Sequence, residues 1–277
     1  MIVQSSRYFN DKDTLECGQV FRYGKTEDGY LVCSGDKACL LSTDGDGTTI
    51  NCEQADEEYF SNYFDLATDY SAINARALSS GYSVLEKAAR MGAGLRILRQ
   101  NSLEMLFSFI VSQNNNIPRI KGIIEKLCSA LGERRQAVGH TYHAFPTLEA
   151  LKSADLDFYR SIGLGYRAEF IKDLANGINA TDINELSKCD GTELKKRLLQ
   201  IRGVGDKVAD CVRLFGFYKT DSFPVDVWIE KLYVEDFGGK EKKREKISEF
   251  FVKTFGGDSG YFQQYLFHYK RNLEGKQ

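Results

Sequence analysis

A Gly-Val-Gly sequence at residues 203–205, set between two helical hydrophobic patterns, constrains the fold of this 277-residue chain more than any other feature. Apolar residues recur at helical spacing before it, at Leu194 and Leu198, and after it, at Val208 and Val212. Because glycine tolerates the positive φ angles of tight turns, we expect both glycines to adopt them. The segment therefore predicts a helix, a hairpin and a second helix.

Such a hairpin turns unpaired backbone N–H groups outward at the start of its second helix, where the helix dipole also favours an anion. The backbone near Gly203 and Gly205 is therefore a candidate binding site for a DNA phosphate. The same pattern also occurs as a simple tight corner between two helices, so it does not establish nucleic-acid binding by itself.

Two charged residues lie beside this hairpin. Lys207 is at the expected start of the second helix, and Asp226 follows it by nineteen residues, after Pro224. The helix dipole and partial desolvation push a lysine at such a position toward the neutral amine, which is a nucleophile. A nearby carboxylate can stabilise a developing sugar cation or transfer a proton. The alternative is a Lys207 that only contacts phosphate and an Asp226 that only caps the helix beginning near Val227.

These residues resemble the helix-hairpin-helix (HhH-GPD) DNA glycosylases, and specifically the 8-oxoguanine DNA glycosylase/AP-lyase branch. The segments 203–211 and 224–227 carry the main resemblance. Residues 97–120 are similar to the family's Asn-rich helix junction, residues 163–168 to its wedge loop, and residues 18–22 to its N-terminal signature. The resemblance covers nearly the whole chain.

The expected fold class is α+β, with an N-terminal antiparallel β-sheet subdomain followed by a mostly α-helical HhH-GPD core. Short β-prone runs alternate with turns up to about residue 51, and helical periodicity dominates from Glu57 onward. We expect residues 1–95 to form the sheet with flanking helices, and residues 96–277 to form the core, with the hairpin near 198–212 and the last helices packed back on the N-terminal part. The predicted strands are Val20–Tyr23, Tyr30–Cys33, Ala38–Leu41 and Thr48–Ile50, and residues 132–145 are predicted to be a loop.

For the damaged base, the resemblance implies four contacts. The backbone carbonyl of Gly18 would accept the N7 proton that 8-oxoguanine has and guanine lacks. Cys211 and Phe267 would sandwich the flipped purine, and Gln263 would read its Watson–Crick edge. The alternatives are a buried thiol that only packs at Cys211 and an ordinary core ring at Phe267.

For the base left behind, the resemblance implies that Asn114 and Arg119 read the estranged cytosine. Tyr166 would be the intercalating wedge, and Arg167 would stack on the unpaired base or donate hydrogen bonds to it. The alternatives are a partly buried aromatic at Tyr166 and a helix junction with Asn caps and Pro118 in the first turn.

The resemblance also implies the chemistry. Lys207 would attack C1′ of the flipped nucleotide while Asp226 stabilises charge at the sugar, and the resulting imine would permit β-elimination. No redox cofactor is required. The family's hairpin commonly holds a structural cation, which corresponds here to the main-chain oxygens of Leu199, Ile201 and Val204.

One residue departs from the eukaryotic pattern. Trp228 stands two residues after Asp226, where the eukaryotic branch typically has a histidine, so a phosphate contact there is in doubt. The N-terminal region also lacks nuclear-targeting basic clusters. We therefore expect a prokaryotic member, located in the cytoplasm at the nucleoid, acting as a monomer on duplex DNA that contains 8-oxoguanine.

Composition limits the other function classes. A net charge of −2 and a pI near 6.0 mean that DNA-binding charge must be local. The seven cysteines show no metal-ligand spacing, and none follows Cys211, so we expect no iron–sulfur cluster. No apolar run approaches membrane-spanning length, so no membrane association is expected. The candidate basic patches are Arg119, Lys121 and Lys126, then Lys195, Lys196 and Arg197, and finally residues 240–246.

Two competing functions stay open. One is an HhH glycosylase for another damaged purine, although Lys207 argues against the monofunctional alkyl-purine type, which lacks that nucleophile. The other is a noncatalytic HhH protein that keeps only the phosphate contact.

Overall fold

A computed structural model describes residues 2–45 and 47–274 of the chain. An antiparallel sheet of five strands, in the order β1-β5-β4-β3-β2, forms much of the N-terminal part. A two-stranded antiparallel hairpin, β6 and β7, lies further along the chain. The strands are β1 Ile2–Ser5, β2 Tyr23–Thr26, β3 Gly29–Ser34, β4 Lys37–Asp44, β5 Gly47–Asn51, β6 Arg134–Ala137 and β7 His140–His143.

Helices account for most of the remaining described residues. In chain order they are α1 Asp11–Glu16, α2 Glu57–Tyr63, α3 Tyr70–Leu78, α4 Ser83–Met91, α5 Ser102–Val111, α6 Ile117–Leu131, α7 Leu148–Ser153, α8 Leu156–Ser161, α9 Arg167–Gly177, α10 Ala180–Lys188, α11 Gly191–Leu198, α12 Asp206–Phe217, α13 Val227–Phe237, α14 Arg244–Phe255 and α15 Ser259–Glu274. Within the described ranges, no helix has both the length and the apolarity needed to cross a membrane. The predicted α+β class is confirmed.

The two parts of the fold have separate hydrophobic clusters. Along β3, side chains alternate between buried and partly exposed, as expected for a sheet with one buried face. Val32 and Leu41 on that face pack in one cluster with Phe60 of α2. Helices α3 and α4 instead contribute to the large cluster of the helical core, and α15 packs against α4. The domain boundary at residues 95 and 96 stays a prediction.

The structure differs from the strand predictions in three places. Val20 does not begin a strand, and β2 begins only at Tyr23. Val20 packs in the cluster of the sheet, whereas Phe21 packs in that of the helical core. Strand β1 was not predicted. The hairpin β6–β7 replaces the loop expected at 132–145, with positive φ at Val138 and Gly139 in its turn. Its strands are polar, so their hydrophobic pattern gave little signal.

A buried carboxylate joins the N-terminal part to the core. Asp65 is 1% exposed and accepts hydrogen bonds from Tyr70 Oη at 2.9 Å, Arg99 Nε at 2.7 Å and Thr68 Oγ1 at 2.8 Å. Tyr218 Oη also donates to Asp65. Since Tyr218 is the left-handed residue that ends α12, this bond fixes that end of α12 to the N-terminal part.

We predict that Asp65→Ala lowers the free energy of unfolding by about 3–5 kcal/mol, because it leaves the Arg99 guanidinium and two tyrosine hydroxyls without their shared acceptor. Urea denaturation measures the change. The matched control is Asp69→Ala, which removes an exposed N-cap of α3 and should cost clearly less. Equal losses in the two variants would contradict the role assigned to Asp65.

Candidate active site

A small cavity of about 50 Å³ lies where α12, α15, the segment before α13 and the N-terminal part meet. Its walls contain all six residues that the sequence analysis assigned to catalysis and to the damaged base. They are Gly18, Lys207, Cys211, Asp226, Gln263 and Phe267, and the other wall residues are Phe109, Phe215, Pro224 and Gln264.

The hairpin before this cavity has the predicted form, because α11 ends at Leu198 and α12 begins at Asp206. Gly203 has a φ of +87°, and a Cβ there would lie 2.5 Å from the ring of Phe170. Gly205 differs from the expectation: its φ is −99°, so the turn needs a positive φ at Gly203 but not at Gly205. A Cβ at Gly205 would meet no heavy atom within 4 Å, which leaves the start of α12 open to a ligand.

Lys207 is in the first turn of α12, as predicted. Its Nζ lies 5.6 Å from the ring centroid of Phe109, and its side chain is partly exposed to the cavity. Cys211 follows one turn later on the same helix face. Burial raises the pKa of the Cys211 thiol to about 11, although the neighbouring Lys207 opposes this shift. The thiol is therefore neutral at physiological pH and acts as a small packing group.

Asp226 combines the two roles that the sequence left open. Its Oδ1 accepts hydrogen bonds from the backbone N–H groups of Trp228 and Ile229, each at 3.0 Å, so it caps α13. It also lines the cavity together with Lys207. Burial raises the pKa of the Asp226 carboxyl above its ordinary value, while the two backbone N–H groups and the charge of Lys207 oppose that shift.

A buried ionic cluster supports the helix that carries Lys207. Asp210, which is 2% exposed, lies 3.1 Å from Lys195 Nζ and 2.9 Å from Arg213 Nη1. The hydroxyl of Ser222 donates to the Asp210 carbonyl at 3.0 Å, which ties the segment leading to Asp226 against α12. The sequence analysis missed Asp210, although an acidic residue within the apolar face of α12 was a visible signal.

The Gly18 wall is fixed by its neighbour Gln19, whose side chain is fully buried. Gln19 Nε2 donates to the carbonyls of Thr14 at 2.9 Å and Arg96 at 2.7 Å, and Gln19 Oε1 accepts from the Leu98 N–H at 2.9 Å. Gly18 itself has a φ of +91°, which only glycine adopts without strain. These bonds hold the Gly18 backbone at the edge of the cavity.

Gln263, which lines the cavity from α15, is already hydrogen-bonded within the protein. Gln263 Nε2 donates to the Pro224 carbonyl at 3.1 Å, and its Oε1 accepts from Gln264 at 2.9 Å. Small-molecule sites typically enclose about 300–1,000 Å³. The cavity, at about 50 Å³, is far smaller than this, so a purine would enter only after side chains such as Phe267 move.

A second group of predicted residues lies on the surface at the junction of α5 and α6. Asn114 Nδ2 donates to Tyr166 Oη at 3.2 Å, and Arg119 Nη2 donates to the Gly163 carbonyl at 3.3 Å. Tyr166 is 52% exposed rather than buried. Asn116 caps α6, as the alternative interpretation expected, and this capping coexists with the clustering of the other residues.

Arg167 is placed differently from the expectation. It is 4% exposed, and its guanidinium donates to the carbonyls of Gln113, at 2.8 Å from Nε, and Asn114, at 3.0 Å from Nη2. In this structure Arg167 is therefore not free to stack on an unpaired base or to donate to it. It holds the backbone of Asn114, which has a positive φ of 44°.

Several basic residues of the predicted patches are engaged in contacts with the protein itself. Lys195 pairs with Asp210, Arg197 with Glu193 at 2.9 Å, and Lys121 Nζ lies 3.4 Å from the ring centroid of Tyr23. Lys196 is exposed near the hairpin, and Arg119 is exposed in the second cluster, where it also donates to the Gly163 carbonyl. Local positive charge is thus present where the motif residues lie.

Comparison with known proteins gives the family. Residues 1–106 match the model of the 8-oxoguanine DNA glycosylase N-terminal domain, and residues 107–255 match that of the HhH-GPD superfamily base excision DNA repair proteins. The chain belongs to the HhH-GPD superfamily. The second match covers more than half of the sequence and includes the hairpin, Lys207 and Asp226.

Individual relatives agree with this membership of the HhH-GPD superfamily. The chain is 32% identical to a probable N-glycosylase/DNA lyase of Methanothermobacter thermautotrophicus, over 78% of this chain and 73% of the relative. It is 30% identical to the N-glycosylase/DNA lyase OGG1 of Arabidopsis thaliana, over 92% of this chain and 75% of the relative. Its fold matches the crystal structure of Clostridium acetobutylicum 8-oxoguanine glycosylase/lyase in complex with DNA containing cytosine opposite 8-oxoguanine, with a TM-score of 0.90, 33% identity and coverage of 99% and 98% of the two chains.

We predict that Asp226→Asn stabilises the protein at pH 8 while reducing activity. The pKa of Asp226 is raised in the folded state, so the ionised carboxylate opposes folding above that pKa, whereas asparagine caps a helix equally well. The gain in Tm should shrink as the pH falls through the folded-state pKa, where the wild-type carboxyl becomes protonated.

The control for this prediction is Asp226→Ala, which loses the cap as well as the charge and should be less stable than Asp226→Asn by about 1 kcal/mol. Thermal unfolding from pH 4 to pH 8 compares the three proteins. A lower Tm for Asp226→Asn than for the wild type at pH 8 would contradict the assignment.

Proposed function

We propose that this protein is a bifunctional base-excision-repair enzyme that removes 8-oxoguanine from duplex DNA, opposite cytosine, and then cleaves the strand as an AP lyase. One observation carries the proposal: Lys207, Asp226 and Gly18 line one cavity beside a hairpin in which Gly205 leaves the start of α12 open. The named activities of the relatives, N-glycosylase and DNA lyase, support the same conclusion.

In the glycosylase step, the free amine of Lys207 forms a bond to C1′ of the flipped nucleotide. The C1′–N9 bond breaks, its electron pair leaves with the base, and the base takes up a proton. Asp226 stabilises the positive charge that develops at the sugar in the transition state. Its partly buried position strengthens this interaction, because water screens it less.

The lyase step follows from the covalent intermediate. Opening of the sugar ring converts the Lys207–C1′ adduct to an imine. The imine acidifies the C2′ proton, and loss of that proton breaks the bond from C3′ to the 3′ phosphate oxygen. Hydrolysis of the imine then regenerates the amine of Lys207, so no redox cofactor takes part.

Lesion recognition rests on the Gly18 carbonyl in the proposed complex. 8-Oxoguanine carries a proton on N7 and attracts a carbonyl there, whereas guanine presents a lone pair and is repelled. Cys211 and Phe267 would stack on the two faces of the base, and Gln263 would exchange its present bond to Pro224 for the Watson–Crick edge. The network of Gln19 keeps the carbonyl in place during this exchange.

The surface cluster suits the base that is left behind. Asn114 and Arg119 are exposed and present an amide and a guanidinium, which match the acceptors and the donor of cytosine. Tyr166, which is hydrogen-bonded to Asn114, inserts its ring into the space that the flipped nucleotide leaves in the base stack. Arg167 contributes by fixing the Asn114 backbone from behind.

The proposal includes a structural cation in the hairpin, held by the main-chain oxygens of Leu199, Ile201 and Val204. The Ile201 carbonyl already accepts the Val204 N–H at 3.0 Å, and its second lone pair can still bind a cation. No cluster of His, Cys, Asp or Glu in the described ranges would hold a metal ion. The enzyme would work as a monomer in the cytoplasm, at the nucleoid.

We predict that borohydride traps a covalent complex between the wild-type protein and a duplex with 8-oxoguanine opposite cytosine, and that Lys207→Gln abolishes it. Glutamine keeps the length of the side chain but cannot form an imine. The matched control is Lys196→Gln, an exposed lysine next to the hairpin, which should still be trapped. Denaturing electrophoresis measures the adduct.

The same assay separates the alternatives. An adduct that forms only with a different damaged purine would identify a related glycosylase. Binding without any adduct from the wild-type protein would favour a noncatalytic DNA-binding protein and overturn the proposal.

A further inference from the structure

Arg271 of α15 lies beside Gly18, at the edge of the cavity. A Cβ placed on Gly18 would be 3.4 Å from Arg271 Nη1. The guanidinium also lies 5.4 Å from the ring centroid of Phe267, and its Nη2 donates to the Glu16 carbonyl. Arg271 therefore lies next to two residues that line the cavity, Gly18 at its edge and Phe267 on one wall.

One nitrogen of this guanidinium lacks a partner. Arg271 Nη1 is buried and has no hydrogen-bond acceptor among the residues that the structure describes. Leaving a charged donor buried and unpaired is costly, so such a group points to an acceptor that arrives with a ligand. The other nitrogen, Nη2, is fixed on Glu16, so the position of Nη1 is set by the fold.

The cysteine, histidine and tyrosine side chains near Arg271 do not neutralise its charge. Burial raises the pKa of the Cys17 thiol to about 11, and burial together with Arg271 lowers the pKa of His268 to about 4, so both are neutral at pH 7. The pKa of Tyr23 is raised to about 12 by burial, with Glu16 contributing. Within the described part of the chain, no carboxylate forms an ion pair with Arg271.

We propose that Arg271 Nη1 donates a hydrogen bond to the C8 oxygen of 8-oxoguanine, next to the Gly18 carbonyl that accepts its N7 proton. The inference rests on the proposed function. N7–H and O8 are neighbours on the purine edge, so an adjacent acceptor and donor match the lesion at both atoms. Guanine has neither group, and Arg271 therefore adds to the discrimination by Gly18.

The same contact assists departure of the base. When the C1′–N9 bond breaks, its electron pair is delocalised from N9 through C8 onto O8. A guanidinium that donates to O8 stabilises this developing negative charge more than the neutral base. Arg271 is thus a specificity residue that also lowers the barrier to excision, but it has no part in the later elimination, when the base is gone.

The test compares two substrates under single-turnover conditions: a duplex with 8-oxoguanine opposite cytosine, and a duplex with a preformed abasic site. Arg271→Leu should slow excision of 8-oxoguanine by about 10- to 100-fold, which is typical for loss of a hydrogen bond from a charged group. Cleavage of the abasic duplex should be unchanged. Arg271→Lys, which keeps the charge, should recover part of the excision rate.

The matched control is Arg90→Leu, which removes an equal charge from an exposed position on α4 and should leave both rates unchanged. Equal slowing of both reactions in Arg271→Leu and Arg271→Lys would show that Arg271 is purely structural and would overturn the inference. Full excision activity in Arg271→Leu would also overturn it. A wild-type protein that cleaves abasic sites but does not excise 8-oxoguanine would instead refute the proposed lesion, and the inference with it.

Discussion

The hydrogen bonds around Asp65 are the constraint on which the cavity depends. Lys207, the proposed nucleophile, lies in the first turn of α12, and the bond from Tyr218 to Asp65 fixes the other end of that helix to the N-terminal part. Arg99 binds the same carboxylate and follows closely on the segment that Gln19 holds through Leu98. This polar network sets the distance between α12 and Gly18. Apolar packing is less directional, so by itself it would define the relative position of the N-terminal part and the helical core less closely.

The site also contains carboxylates that are buried within the protein. Burial raises the pKa values of both Asp226 and Asp210. Asp210 is on the helix that carries Lys207, and Asp226 lines the same cavity as Lys207. Ionised groups in such positions oppose folding, yet a poorly screened carboxylate is what stabilises positive charge at a sugar. The Asp226 carboxylate also caps the N-terminus of α13, and this stabilisation offsets part of the free energy that burying the carboxylate costs. The same atoms thus serve the fold and the proposed chemistry.

Much of the site could be predicted from the sequence, because the hairpin glycines, Lys207 and Asp226 lie in one local motif whose geometry follows from helix rules. Gly18 and Phe267 depended on the family resemblance, since no local pattern brings together residues from opposite ends of the chain. The burial of Arg167 and the hairpin β6–β7 could not be predicted, because each is decided by tertiary contacts that leave no hydrophobic period. The roles of the recognition residues stay predictions.

Mapping the site of the covalent adduct tests the central claim most directly, namely that Lys207 is the nucleophile of this cavity. The borohydride-reduced complex with 8-oxoguanine DNA would be digested with a protease and a nuclease, and the modified peptide identified by mass spectrometry. The account predicts that the sugar remnant is attached to Lys207. Attachment to any other amine, with Lys207 unmodified, would contradict it.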